Sequence, residues 1–161
     1  MNELHEKIST RLKRGDNREA ALEQSLRMVL EHFHSETGTI HLLDRDGQSL
    51  RLAAQLGLPP ELLRAVRVIP VGKGIAGQTV ARGEPVTMCN LQTDTSGVAR
   101  PGARQTGIGG MVCVPLRQGE TVVGAIGIGT TRPYEYTPEE VQSLEGIGRV
   151  MGEHLTLGAV W

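Results

Sequence analysis

The chain has 161 residues, a formal net charge of −1, 39% hydrophobic and 22% charged side chains, which is the size and balance of a single folded domain. So even a charge offers no surface for a polyanion, and nucleic acid and polybasic membrane contact are set aside. The longest uninterrupted apolar run, "MVCVPL", is far short of a membrane span, and the opening "MNELHEKISTRLKRGD" is too polar for a signal peptide; a cytoplasmic protein is expected.

Residues 3–14 predict a short helix with Leu4, Ile8 and Leu12 on one narrow stripe, ended by Gly15. Asp16 followed by Glu19 has the spacing of a capping box and predicts the start of a second helix. In that helix Leu22, Leu26, Val29, Leu30 and Phe33 recur at helical spacing, so one face is buried. The narrower stripe of the first helix has less to bury internally and is expected to pack on a partner or on the neighbouring domain of a larger assembly. "TIHLLD" and "SLRLAAQL" then flank "RDGQ", whose Asp46-Gly47 pair is a strong hairpin signal. "PPELLRAV" reads as a short helix, "VRVIPV" as extended, "GIAGQTVARG" as helical and "EPVTMC" as extended. After a long loop, "GMVCVPLRQGETVVGAIGIG" predicts a second hairpin turning at "RQGE". The last helix opens with Thr137 as N-cap, Pro138 at its first position and Glu140 completing a capping box. Val141, Leu144, Gly148, Met151 and Leu155 follow a near-heptad stripe along it.

Strands grouped in hairpins call for an antiparallel sheet, and the terminal helices cover one face of it. The expected fold is therefore α+β, an α/β sandwich. Residues 1–16 form a helical extension and residues 17–161 a single domain. The second sheet face also needs a cover. What remains to supply it is the helix at 74–82 and the loop "TSGVARPGARQTGIGG", residues 95–110. A loop that long inside a compact domain tends to be functional, and a sheet face roofed by it is a natural small-molecule pocket. The loop is expected to be a lid.

"GKGIAG", residues 72–77, matches G-x-G-x-x-G but follows a strand broken by Pro70 and sits in no βαβ unit. Its glycines are better read as structural: Gly72 and Gly74 for a tight turn, Gly77 for close helix packing. Cys89 and Cys113 are too few for a disulfide framework and form no CxxC pair. His41 and Cys113 would be a thiol–imidazole pair only if they met in space. His32 and His34 lie two apart on a helix and point to different faces, a poor metal site. Arg100 and Arg104 in the loop could clamp a carboxylate or phosphate. Gly148 and Gly152, four apart, mark either a tight helix–helix contact or close packing on Ala125 and Gly127.

Three blocks, "VGKGIAGQTVARGEPVTMCNLQTD", "GMVCVPLRQGETVVGAIGIG" and "YTPEEVQSLEGIGRVMGEHL", occur in the order and spacing of a GAF domain. The chain resembles that family over residues 18–157. The resemblance implies a central antiparallel sheet, terminal helices on one face, a ligand cavity on the other, and a role in sensing small molecules or in dimerisation within signalling proteins. Free-methionine sulfoxide reductases of the family use cysteines in the pocket loop, and residues 90–110 hold none. Bilin-binding relatives attach their chromophore through a cysteine in a Cys-His-like context, missing here. The asparagine–lysine–phenylalanine–aspartate signature of cyclic-nucleotide-binding relatives is met only by Asn90 and Asp94.

The function expected first is thus a regulatory domain that binds a small molecule between the sheet and the 95–110 loop, an anionic one if the arginines clamp it. Thr39 and His41, alternating with Ile40 and Leu42, line the sheet side; Thr95, Ser96, Arg100 and Arg104 come from the lid, and Cys113 from the second hairpin. None of the aromatics Phe33, Tyr134, Tyr136 and Trp161 is placed to stack on a flat ring, which favours a small non-planar or anionic ligand. The alternative is a ligand-free homodimer joined through the terminal helices; a thiol-dependent reductase ranks third. A signalling partner protein is expected, and no cofactor can be named.

Overall fold

The computed structural model describes residues 3–93, 96 and 107–155. Its elements run α1 (Glu3–Lys13), α2 (Arg18–His32), β1 (Thr37–Leu43), β2 (Ser49–Leu56), a 3-10 turn (Pro60–Leu62), α3 (Leu63–Val66), β3 (Val68–Pro70), α4 (Gly74–Arg82), β4 (Val86–Met88), β5 (Met111–Gln118), β6 (Thr121–Gly129) and α5 (Pro138–Glu153). Six strands form one sheet in the order β3-β2-β1-β6-β5-β4, every neighbouring pair antiparallel. The two hairpins lie side by side, and the strands that begin and end this part of the chain, β1 and β6, meet in the middle.

Side-chain alternation divides the sheet into two faces. Ile40, Leu42, Val114, Leu116 and Ile126 point to one of them and join the main core. Against them pack Leu22, Leu26 and Val29 of α2 and Leu144, Ile147 and Met151 of α5. The opposite face carries Thr37, Thr39 and His41 of β1, and crossing it from Thr39 gives Gly127, then Cys113, then Val86. Helices α3 and α4 lie over this side.

Local signals account for most element ends. Thr137 caps α5 by accepting from Glu140 N, and the Glu140 carboxylate accepts from Thr137 N, a complete capping box. Gly47 closes the first hairpin at φ 72°, and Gly72 and Gly74 take φ 89° and 64° in the turn entering α4. A Cβ on Gly77 would lie 2.5 Å from the Pro70 carbonyl oxygen, so α4 can sit on β3 only with glycine there.

Three expectations are corrected. The cap of α2 is Asn17, at φ 39°, accepting from Ala20 N. Asp16 is instead drawn to Arg11 at 3.1 Å and Arg14 at 3.2 Å. The stripe of α1 faces its own chain: Leu4 and Ile8 are buried in the same core as α2 and α5. The α5 stripe does likewise, and its glycines meet neither Ala125 nor Gly127. Gly148 lies against the Pro115 carbonyl and Gly152 against that of Arg117, so it is β5 that α5 approaches closely.

Candidate functional site

Between the sheet and the α3/α4 layer lies a cavity of about 260 Å³. Its floor is β1 and β6, where Thr37, Thr39 and His41 stand beside Gly127. Leu62, Ala65 and Val66 of the 3-10 turn and α3 form one wall, and Gly74, Ile75 and Ala76 at the start of α4 another. Leu91, Ile108 and Met111 close the side toward the long loop. No described lining residue carries a charge.

Both stems of the long loop are pinned at this side. Leu91 N donates to Gly109 O at 2.6 Å, and the Gln92 side-chain amide donates to Ile108 O at 2.9 Å. Asn90 tightens the entry by accepting from Gln92 N. The stems therefore bring Leu91 and Ile108 together in a small apolar cluster with Met88. Gly109 and Gly110 let the returning stem pass close to the backbone at Arg132 and Tyr134.

His41 is the polar residue held most deeply in the cavity wall, 2% exposed. Its position follows from a register shift: Ile40 pairs with Ala54 but His41 with Leu52, leaving Ala53 as a bulge in β2. Nε2 lies 2.8 Å from the Val66 carbonyl oxygen. A carbonyl only accepts, so Nε2 carries the proton, and in a neutral ring Nδ1 is then an acceptor. Burial pushes the His41 pKa down to about 4, against the smaller upward pull of the Val66 bond, so the ring is neutral near pH 7. Nδ1 has no hydrogen-bond partner among the described residues.

The sequence-predicted residues divide into three groups. Thr39 and His41 line the cavity together. Cys113 shares their face of the sheet but lies outside the lining, beside Gly127 and hydrogen-bonded to Thr79. Ser96 is exposed, while Thr95, Arg100 and Arg104 lie outside the described residues. His41 and Cys113 form no pair: one bonds Val66, the other Thr79. Burial raises the Cys113 thiol to about 12, which keeps it protonated and a poor nucleophile. Cys89 is exposed, at the opposite end of β4 from α4.

Sequence reasoning missed the α3 wall, Ile75, and the two stem residues Leu91 and Ile108. The amphipathic run "PELLRAV" carried a signal for the first. The stems carried none, because their placement depends on backbone bonds between residues far apart in the chain.

The family model for the GAF domain matches residues 16–156. Over 105 residues the chain is 30% identical to the nitrogen fixation protein VnfA of Azotobacter vinelandii, a match taking in 63% of this chain and 20% of that protein. The chain thus spans about a fifth of the length of that relative. Among solved structures, the GAF domain of a phosphoenolpyruvate-protein phosphotransferase from Acinetobacter superposes with a TM-score of 0.78 at 19% identity, covering 96% of this chain and 93% of that one. A free methionine-R-sulfoxide reductase from Neisseria meningitidis, solved with its substrate, gives 0.76 at 18% identity, covering 94% and 86%. At those identities the two structures speak for the fold alone. With the sheet order, the terminal-helix layer and a family match over most of its length, the chain belongs to the GAF domain family, a family of regulatory and sensory modules.

Proposed function

We propose that this domain regulates by binding a small molecule in the cavity between the sheet and the α3/α4 layer. The observation that carries the reading is the cavity itself: an apolar chamber with a few polar groups, roofed by short elements and bounded by the stems of a long loop. Chambers of this composition are the usual form of small-molecule sites. Their volume sets the scale, since a 150 Å³ apolar cavity already admits benzene. The uncharged described walls favour an uncharged ligand over the anionic one suggested by Arg100 and Arg104. Ligand contact at Leu91 and Ile108 would reach the two stems of the long loop, and contact at Gly127 and Thr39 would reach the strands on which α2 and α5 rest.

A homodimer through the terminal helices draws less support, because the stripes of α1 and α5 that suggested it are buried within one chain. A thiol-dependent reductase draws little from Cys113, whose thiol is buried and protonated.

A native mass spectrum of the purified protein, compared with that of Gly127→Leu, tests the proposal. A Cβ on Gly127 would stand 3.6 Å from its nearest neighbours, the Cys113 Sγ and Thr39 Oγ1. The variant therefore fits the strand while its side chain fills the cavity floor. The expected result is an extra small mass on the wild type that disappears in the variant. An extra mass retained by the folded variant, or no stabilisation of the wild type by any member of a metabolite library, would overturn it.

A further inference from the structure

The cavity floor carries a hydroxyl that no described residue engages. Thr39 stands on β1, a strand flanked by β2 and β6, and alternation turns it to the cavity face. A side chain in the middle of a sheet reaches no solvent past a strand edge, yet Thr39 keeps accessible surface while Gly38 and Ile40 on either side are buried. That surface belongs to the cavity, which Thr39 lines. The hydroxyl points along the floor: Oγ1 lies 3.6 Å from where a Cβ on Gly127 would stand, and with glycine there that point is open floor. Its neighbours are committed elsewhere. Gln55, opposite Thr39 on β2, accepts from Leu58 N through its side-chain oxygen at 3.3 Å, and the Cys113 thiol beyond Gly127 bonds Thr79. The Thr39 hydroxyl makes no hydrogen bond among the described residues. Thr37, on the same face, is only 5% exposed, so Thr39 is the hydroxyl a ligand reaches more readily.

We propose that Thr39 selects the ligand: a compact, uncharged molecule whose apolar skeleton carries one hydrogen-bonding group, a hydroxyl or a carbonyl, held by the Thr39 hydroxyl. This rests on the ligand-binding reading above and deepens it. A threonine hydroxyl donates or accepts, so either group serves. A ligand with neither would cover Thr39 and leave its hydroxyl unsatisfied. Polarity elsewhere on the skeleton is disfavoured, because Leu62, Val66, Ile69 and Ile75 of the walls have side chains without donor or acceptor. A charge would be buried against walls that offer no opposite charge among the described residues. Size follows from the 260 Å³ available, enough for a one- or two-ring skeleton.

Phenol and toluene form a matched pair of probes of one shape, the first with a hydroxyl where the second has a methyl; benzoate adds a charge. Binding of each is followed by NMR on the 15N-labelled wild type, Thr39→Val and Thr39→Ser. Valine keeps the shape of threonine without its hydroxyl, and serine keeps the hydroxyl. The expected result is a ratio of phenol to toluene affinity that falls about tenfold in Thr39→Val, the size of one hydrogen bond, and holds in Thr39→Ser. Comparing the ratio between proteins cancels what each probe loses on leaving water, so the change reports the contact with Thr39. Benzoate should bind more weakly than phenol, and Gly127→Leu should exclude both neutral probes. If the valine variant does not fold, Thr39→Ala takes its place. An unchanged ratio, with both probes still blocked by Gly127→Leu, would overturn the Thr39 rule and leave the cavity reading intact. Benzoate bound as tightly as phenol would overturn the restriction to uncharged ligands. Failure of phenol and toluene to bind would overturn the selection proposed here, while the mass-spectrometric comparison still judges the cavity reading by itself.

Discussion

A buried neutral histidine makes a domain sensitive to acid, and the sign follows from where its two pKa values lie. His41 is held at about 4 in the folded chain against 6.5 in its ordinary setting. Between those values the unfolded chain binds the extra proton and the folded chain does not, so stability falls as pH drops from 6.5 toward 4 and is flat above. The full window is worth roughly 3 kcal/mol. Denaturation midpoints from pH 7.5 to 4 should therefore fall more steeply in the wild type than in His41→Leu, whose other four histidines are unchanged. Parallel curves would sink the assignment. The two cysteines give a second residue-scale expectation. Native protein should take one equivalent of iodoacetamide, on Cys89, while Cys113 reacts only after unfolding, because burial both hides its thiol and raises it to about 12. Early labelling of Cys113, read by peptide mass, would refute this. Strand alternation was enough to put Thr39 and His41 on one face. It could not supply the Val66 carbonyl, since a backbone acceptor from a four-residue helix leaves no mark in side-chain chemistry.

Among the elements, α5 shows how far local rules reach. Its start was legible to the residue, because Thr137, Pro138 and Glu140 act within a single turn. What its glycines touch was not, because a close approach of two backbones depends on how the helix is set on the sheet. Gly146, Gly148 and Gly152 would each gain helix propensity as alanine, by about 1 kcal/mol. At Gly148 that gain is overruled: the new Cβ would lie 2.5 Å from the Pro115 carbonyl oxygen, a backbone atom that moves only with β5. At Gly146 the obstacle is the His5 ring at 2.8 Å, a side chain that can turn aside. Gly148→Ala should thus destabilise by about 1–3 kcal/mol, as overpacked cores do, and Gly146→Ala by far less. Urea denaturation of the two variants checks the order, and the reverse order would mean that α5 lies elsewhere on the sheet. The α2 cap makes the complementary point. Asp16 and Asn17 are both good capping residues, and the choice is made by Arg11 and Arg14, which claim the Asp16 carboxylate.

At the scale of the molecule, one sheet separates a layer built for stability from a layer built around a cavity. The layers were legible because hairpin signals and helical stripes are strong. The partner of each stripe was not, because a stripe records only that a face is buried. The first helix is the instructive case. It lies before the GAF match, which begins at residue 16, and its stripe is narrow, yet Ile8 is completely buried, with Leu4, in the core formed by α2, α5 and the sheet. Arg11 ties it further to α2 through Gln24 at 2.5 Å. A detachable extension and an integral helix make opposite predictions for a single substitution. If α1 belongs to the folding unit, Ile8→Ala opens a hole in the core and costs about 2–4 kcal/mol, enough to lower Tm by several degrees in a domain of this size. If α1 were an appendage docked only in an assembly, the same change would leave the Tm of the dilute protein where it was. The first outcome has a consequence for signalling. α1 packs on both α2 and α5, so a shift of the sheet beneath the cavity would move the three helices as one body. Ligand added to the wild type should then slow amide exchange in α1 as well as around the cavity, whereas protection confined to the cavity would uncouple the helical layer from binding.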